Sequence, residues 1–217
     1  MNFDKELLIN ASVLVIGDLA IDQMVYGDAE RISREAPVLI LQHTRTKIIL
    51  GGASNAANNV STLNNGKVGV IGVCGEDYQS EQMKEAFGLA GIDTTYLIKD
   101  KNRKTITKTR ISGSITTSIT QQIVRIDRQT STPIAGVTEQ KVLDALEKAV
   151  PDYDAVILSD YKIGTLTQKV VDKAVELAAK YNKIIVVDPQ NKLERFKNVT
   201  SMTPNLPDTE KSVGFEI

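Results

Sequence analysis

Apolar positions along this chain fall into short runs parted by polar loops, and the period of the runs changes along the sequence. Residues 13–16 are continuously apolar and end in Gly17-Asp18, the pattern of a buried parallel strand feeding a loop at its C-terminal end. Gly51-Gly52-Ala53-Ser54-Asn55 opens a helix in which Ala56, Ala57, Val60 and Leu63 form an apolar stripe, while Asn55, Asn58 and Asn59 gather at i, i+3 and i+4. Ser54 suits the N-cap and Asn64-Asn65-Gly66 the stop. Residues 68–73 read as a second buried strand, and 78–90 as a helix terminated by Gly91. The alternation resumes with a helix at 138–150, a strand at 155–158, a helix at 167–180 and a strand at 183–187. A short piece at 200–204 leads to Asn205 and a helix-like tail. A βαβα rhythm predicts an α/β domain on a parallel sheet.

Two stretches break the rhythm. Residues 24–50 show extended segments at 38–42 and 47–50, with an irregular connector from Arg31 that ends at Pro37 before them. Residues 104–111 and 115–127 are rich in Thr and Ile, with Ser112-Gly113-Ser114 between them as a hairpin turn. The expectation is one small β lid, built from about 24–50 and 104–128, inserted in the α/β core and covering the site.

Composition narrows the ligand. Among 217 residues, 26 Lys and Arg nearly balance 27 Asp and Glu, so no general field draws nucleic acid or an acidic membrane. A small neutral or modestly charged ligand fits better. Cys74 and His43 are the only residues of their types, which excludes internal disulfides and any multi-Cys or multi-His metal site. Residues 1–9 carry Asp4, Lys5 and Glu6 and lack the apolar core of a signal peptide, and no stretch approaches a membrane span. The expected location is cytoplasmic.

The two glycines before a helix first suggest a phosphate cradle, since a helix N-terminus presents unpaired N–H groups. A Walker-type loop would need Gly-Lys-Ser/Thr, which is absent, and Gly69, Gly72 and Gly75 lack dinucleotide-fingerprint spacing. His43 lies in a predicted strand and reads as structural rather than as a hydrolase base; Cys74, after a buried strand, reads as a packed residue. What remains are strand-end loops carrying Asp18, Asp22, the 51–59 element, Asp160, Asp188 and Asn205. Such a set suits hydroxyl recognition and Mg²⁺-assisted phosphoryl transfer. Asp18 and Asp22 can each accept hydrogen bonds from vicinal sugar hydroxyls, and the 51–59 element then becomes one wall of that pocket.

These residues make the chain resemble the ribokinase-like (PfkB) carbohydrate kinases: Gly17-Asp18 with Asp22, Gly51-Gly52-Ala53-x-Asn55, Asp188-Pro189 and Thr203-Pro204-Asn205. Within that family it is similar to the heptose-7-phosphate kinase domain of ADP-heptose biosynthesis proteins, through Ile32-Ser33-Arg34-Glu35-Ala36-Pro37-Val38, Ser159-Asp160-Tyr161 and residues 121–127. The resemblance implies an α/β fold, a ribokinase-like three-layer αβα sandwich with a small β-sheet lid, C-terminally truncated. It implies transfer of the ATP γ-phosphate, with Mg²⁺, to the anomeric hydroxyl of D-glycero-D-manno-heptose 7-phosphate. By it, Asp18, Asp22, Gly51, Gly52, Asn55 and Asn59 line the sugar site, and one of Lys108, Arg110 and Arg125 meets the 7-phosphate. Asp188, Asn205 and Asp208 face ATP and Mg²⁺, and the lid serves as a homodimer contact, with no nucleic-acid or membrane partner.

The sequence departs from the family pattern in places. Arg34 stands where the subgroup has Pro and Gln23 where it has Arg; Lys162-Ile163-Gly164 replaces Gly-Lys-Gly; Asp208 shortens the Glu of Asn-x-x-Glu. No Gly-Ala-Gly-Asp segment, which carries the family's catalytic base, occurs by Ile217, so this chain holds no catalytic residue of that kind and is expected to be inactive alone. Other readings are a non-catalytic sugar-binding or dimerisation module, and a chain that associates through an open sheet edge.

Overall fold

The computed structural model describes residues 9–114, 120–190 and 192–217. The signal-peptide reading rests mostly on residues 1–8, outside that range, as do residues 115–119 of the expected hairpin. Among the described residues no helix is long and apolar enough to cross a membrane.

Strands β1 (Val13–Gly17), β4 (Val68–Cys74), β5 (Asp93–Lys99), β8 (Ala155–Ser159), β9 (Ile184–Asp188) and β10 (Ser201–Met202) form one sheet in the order β10-β9-β8-β1-β4-β5. Their pairings are parallel. β1 and β4 are apolar along their length because helices cover both faces. Val15, Val70 and Cys74 pack with Ala57, Met83 and Phe87 of α1 (Ala53–Asn64) and α2 (Tyr78–Leu89). Leu14, Ile16 and Leu158 face the other way, onto Leu146, Val170 and Leu177 of α3 (Gly136–Ala149) and α4 (Gln168–Lys180). Alternation along one strand thus divides two cores, giving three layers.

The second sheet has the order β3-β2-β6-β7, with β2 (Leu19–Ile32), β3 (Leu39–Gly52), β6 (Ile106–Ser114) and β7 (Thr120–Arg128). Only Asp18 separates β1 from β2, so the lid grows straight out of the central strand, and β3 runs directly into α1. The β2–β6 pairing is parallel and joins the two inserted stretches, while β2–β3 and β6–β7 are antiparallel.

Several local expectations are corrected. Ser112-Gly113-Ser114 is not a turn: it lies within β6, paired with Gln122, Gln121 and Thr120. A Cβ on Gly113 would sit 2.8 Å from the Cδ1 methyl of Ile123 and 2.9 Å from a Cδ methyl of Leu41, so a larger residue would push those side-chain ends aside. The cap of α1 is Gly52 rather than Ser54; Ser54 is buried inside the helix, and its hydroxyl accepts from the Ala20 N–H at 3.1 Å. Leu63 is 60% exposed and leaves the apolar stripe to Ala53 and Ala57. The edge strand β5 lacked a sequence signal: its pattern Asp-Thr-Thr-Tyr-Leu-Ile-Lys is polar for half its length. The αL residue Asn65 does cap α1 at its C-terminus.

Candidate functional site

From β1 the chain moves to β4 and β5 on one side, then returns to β8, β9 and β10 on the other. The order therefore reverses between β1 and β8, and ligands of such sheets bind in the crevice beyond the strand ends there. Gly17 lies opposite Ser159 at that point. Asp18, Asp160 and Asp188 follow or end β1, β8 and β9 at the same end of the sheet.

Asp18 is 0% exposed, and its carboxylate accepts three backbone N–H bonds: Oδ2 from Tyr161 (3.0 Å) and Ile163 (2.9 Å), Oδ1 from Thr165 (2.9 Å). Its carbonyl accepts from the Ala53 N–H at 3.1 Å. Asp18 thus ties the end of β1, the loop after β8 and the start of α1 together. Those bonds take three of the roughly four lone-pair positions of the carboxylate, leaving one on Oδ1. Arg103 supports the same loop, donating to the carbonyls of Thr130, Thr132 and Ile163.

Asp22 is placed differently. Its side chain is 25% exposed on the lid face that also carries Lys108 and Arg110, and its Oδ1 lies 2.7 Å from Nη1 of Arg110. Gly51 sits on the same face, and a Cβ there would approach the Asp22 carboxyl carbon and oxygens at 3.0–3.2 Å. Gly52, with φ +55° and the Asp18 carbonyl oxygen 2.7 Å from where a Cβ would be, turns β3 into α1 as only glycine readily does. Asn55 and Asn59 are exposed on the first turns of α1. Gly51→Ala is expected to leave the unfolding midpoint nearly unchanged while pushing the Asp22 carboxylate aside. A crystal structure of the variant with Asp22 in its parental place would refute this.

Tyr161 belongs to the site although its sequence context marked it only as part of a motif. Held by Asp18, it packs near Ala20, Ile106 and Ile163, with Lys108 Nζ 5.6 Å from its ring centre. Burial raises its phenol pKa, and the carboxylates of Asp188 and Asp22 raise it further. Of the other lid cations, Arg125 is tied to Asp127 at 2.9 and 3.0 Å.

Desolvation also raises Asp188, opposed by the Thr203 hydroxyl. Asp160 is 2% exposed; burial raises its pKa, the Lys162 N–H lowers it, Asp18 raises it and Arg195 at 3.3 Å lowers it. Asn205 caps α5 (Leu206–Val213) by accepting from the Asp208 N–H at 2.8 Å, and its amide donates to the Asp208 carboxylate at 3.0 Å. Asp208 faces a cavity of about 480 Å³ with Lys162, Lys192, Glu194 and Lys211. A neighbouring cavity of about 550 Å³ shares Lys162 and Lys192 and adds Asp160, Thr167 and Arg195. Both cavities lie beside β8 and β9. Their lining sets Lys162, Lys192, Lys211 and Arg195 against Asp160, Glu194 and Asp208, a charged cleft that can take an anion; of its lysines only Lys162 stood in a sequence motif, whereas Lys192 comes from a loop and Lys211 from α5. Among the described residues no three His, Cys, Asp or Glu side chains converge as a metal cage. Cys74 is buried and its thiol is pushed up to about 11, so it is no nucleophile. His43 bonds Thr46 at 2.9 Å on the exposed lid.

Comparison with known proteins places this geometry. The family model described as pfkB family carbohydrate kinase matches residues 10–217. The chain is 38% identical over 205 residues to the bifunctional protein HldE of a Nitratiruptor species, covering 94% of this chain and 42% of that protein. It is 39% identical over 207 residues to HldE of Geobacter sulfurreducens, covering 95% and 41%. The chain thus spans about two-fifths of the length of the curated relatives it matches. In structure it resembles a carbohydrate kinase from Agrobacterium tumefaciens (TM-score 0.70, 19% identity, 94% of this chain and 64% of that one). It also resembles Arabidopsis thaliana ribokinase complexed with ribose and ATP (TM-score 0.62, 15% identity, 94% and 63%).

Proposed function

The chain belongs to the pfkB family of carbohydrate kinases, and from that premise we propose that the complete protein moves the ATP γ-phosphate onto a sugar hydroxyl. The acceptor we propose is the anomeric hydroxyl of D-glycero-D-manno-heptose 7-phosphate, in ADP-heptose precursor synthesis. The observation that carries this is the face around Asp22: a half-open carboxylate between Gly51, the exposed amides of α1 and the lid cations. In this reading Asp22 accepts from sugar hydroxyls, Asn55 and Asn59 add amide contacts, and Gly51 and Gly52 bring backbone close to the ring. Asp18 serves the site by fixing the loop that carries Tyr161.

We read the cleft as a nucleotide site, with Lys162, Lys192 and Lys211 toward the phosphates and Asp208 in its lining; Asp188 at the end of β9 and Asn205 at the cap of α5 are assigned to the same ATP side. Mg²⁺, when bound, would neutralise phosphate charge, needing only one or two carboxylates beside the phosphate oxygens. The lid sheet would close the sugar side against water. All of β7 is exposed, including Ile123, Val124 and Ile126, which supports homodimerisation through the lid.

Calorimetry with heptose 7-phosphate tests the sugar site. Asp22→Asn removes a charged acceptor, worth about tenfold or more in affinity. Equal binding by parent and variant would count against the assignment.

A further inference from the structure

The lid joins the core through two pairs of chain crossings. One pair is short: Asp18 alone separates β1 from β2, and β3 runs directly into α1. The other pair consists of longer segments, residues 100–105 between β5 and β6 and residues 129–135 between β7 and α3. Arg103 lies in the first of these, in a turn closed by its own N–H on the Asp100 carbonyl at 3.1 Å. Its Nη1 donates to the Thr132 carbonyl at 2.6 Å and its Nη2 to the Thr130 carbonyl at 2.8 Å, so one guanidinium holds both crossings together. The same Nη2 donates at 3.0 Å to the Ile163 carbonyl, in the loop after β8.

That third bond reaches a different part of the molecule. Residues 161–165 form the loop that Asp18 holds by its N–H groups, and Lys162 within it lines both cavities of the cleft. Backbone packing tightens the link: the Ile134 N–H donates to the Gly164 carbonyl at 2.9 Å, and a Cβ on Gly164 would come within 2.7–3.0 Å of the Thr132 carbonyl oxygen and the Pro133 backbone. The root of β6 is pinned as well, since Thr105 donates its N–H and hydroxyl to the Asp77 carboxylate at 3.0 and 2.6 Å. Arg103 is thus the side chain that spans the two crossings and the loop. A planar fork of five N–H donors fixes three carbonyls in one geometry, which an ammonium on a flexible stem does not.

We propose that Arg103 is a positioning residue that carries occupancy of the lid face at Asp22 to the 161–165 loop, and so to Lys162 in the cleft. This rests on the sugar-site reading above. The route is short: β2 pairs in parallel with β6 from Ala20 and Ile106 onward, with Asp22 opposite Lys108, so a ligand that orders β2 orders β6, and Arg103 stands three residues before Ile106. Tyr161 also packs near Ala20 and Ile106, an apolar contact without direction. Two sites are coupled when a shared element responds to both, and here that element is the pair of crossings clamped by Arg103.

Hydrogen exchange read by mass spectrometry, on this chain with and without saturating heptose 7-phosphate, tests the coupling. In the parent the sugar phosphate is expected to slow exchange in peptides covering residues 20–24, and to slow it about tenfold at 161–165, the scale of an ordinary coupling free energy. In Arg103→Met the protection at 20–24 should stay while that at 161–165 falls below about twofold. Arg103→Lys should restore part of it. Arg128→Met, which cuts a 3.5 Å contact with Asp77 at the same lid base, should leave it unchanged. The quantity compared is the change on adding ligand, which a uniform loosening of a variant does not produce. Circular dichroism checks that each variant is folded, and the lysine variant carries the test if the methionine one is not. Protection at 20–24 without protection at 161–165 in the parent overturns the coupling while the sugar site stands. Full transmission in Arg103→Met overturns it too, and assigns the link to the Tyr161 contact. Equal loss in Arg128→Met marks a general weakening of the lid base and overturns the role of Arg103. No protection at either place in the parent overturns the sugar-site reading and this proposal together.

Discussion

Asp18→Ala is expected to destabilise the chain by roughly 3 kcal/mol or more, because it strands three backbone N–H groups, each costing about 1–3 kcal/mol when left unsatisfied in the interior. The carboxylate is fully buried, and Tyr161, Ile163 and Thr165 all donate to it at 2.9–3.0 Å. For a chain of this size that corresponds to a fall in thermal midpoint of about 6 °C or more. Asp18→Asn should lie between: one oxygen can still serve Tyr161 and Ile163, while its amide N–H faces the Thr165 donor. Scanning calorimetry on the three proteins reads this order. A midpoint for Asp18→Ala within about 2 °C of the parent would mean that the loop does not depend on Asp18.

Gly17→Ala should be at least as damaging, for a steric reason. A Cβ on Gly17 would fall deep inside the Ser159 carbonyl oxygen, 2.9 Å from the carbonyl carbon and 3.2 Å from Cβ of Ala53. The obstacle is backbone in the adjacent strand, so no rotamer change relieves it, and β1 must part from β8 where the site begins. Overpacking a core costs about 1–3 kcal/mol where side chains can move, so roughly 3 kcal/mol is the lower expectation here. Gly88→Ala supplies the contrast. Gly88 lies in α2 with nothing within 4 Å of where a methyl group would sit, so alanine there should stabilise by about 0.5–1 kcal/mol. Urea denaturation of Gly17→Ala with the parental midpoint would sink the argument that this glycine is required by the strand contact.

Much of this architecture was legible in the residues. Runs such as Val68–Cys74 are apolar on both faces, and only a doubly covered strand has that pattern. The Gly51-Gly52 turn was legible as well, because it lies where a strand ends and a helix begins, whereas Asp22, expected in a strand-end loop, lies inside β2 and is paired on both sides. Other signals misled. Ser112-Gly113-Ser114 has the composition of a turn, but its glycine answers a packing demand from Leu41 and Ile123, which lie 72 and 10 residues away in the chain. Ser54 has the chemistry of an N-cap, yet its hydroxyl serves Ala20 on another strand.

The sequence by itself determined the alternation of strands and helices, the inserted lid, the absence of a phosphate loop and the set of polar residues at strand ends. These depend on spacing and on the chemistry of neighbours in the chain. Only the tertiary structure decided the role of each residue in that set. Asp18 and Asp22 are four positions apart and chemically identical, but β1 ends just before Asp18 and the loop after β8 folds over Asp18 alone. One carboxylate is spent on backbone donors some 143 to 147 residues away, and the other meets Arg110 on the lid. The physical reason is that a carboxylate's role is set by which donors reach it, and those donors are brought by contacts that no local pattern encodes.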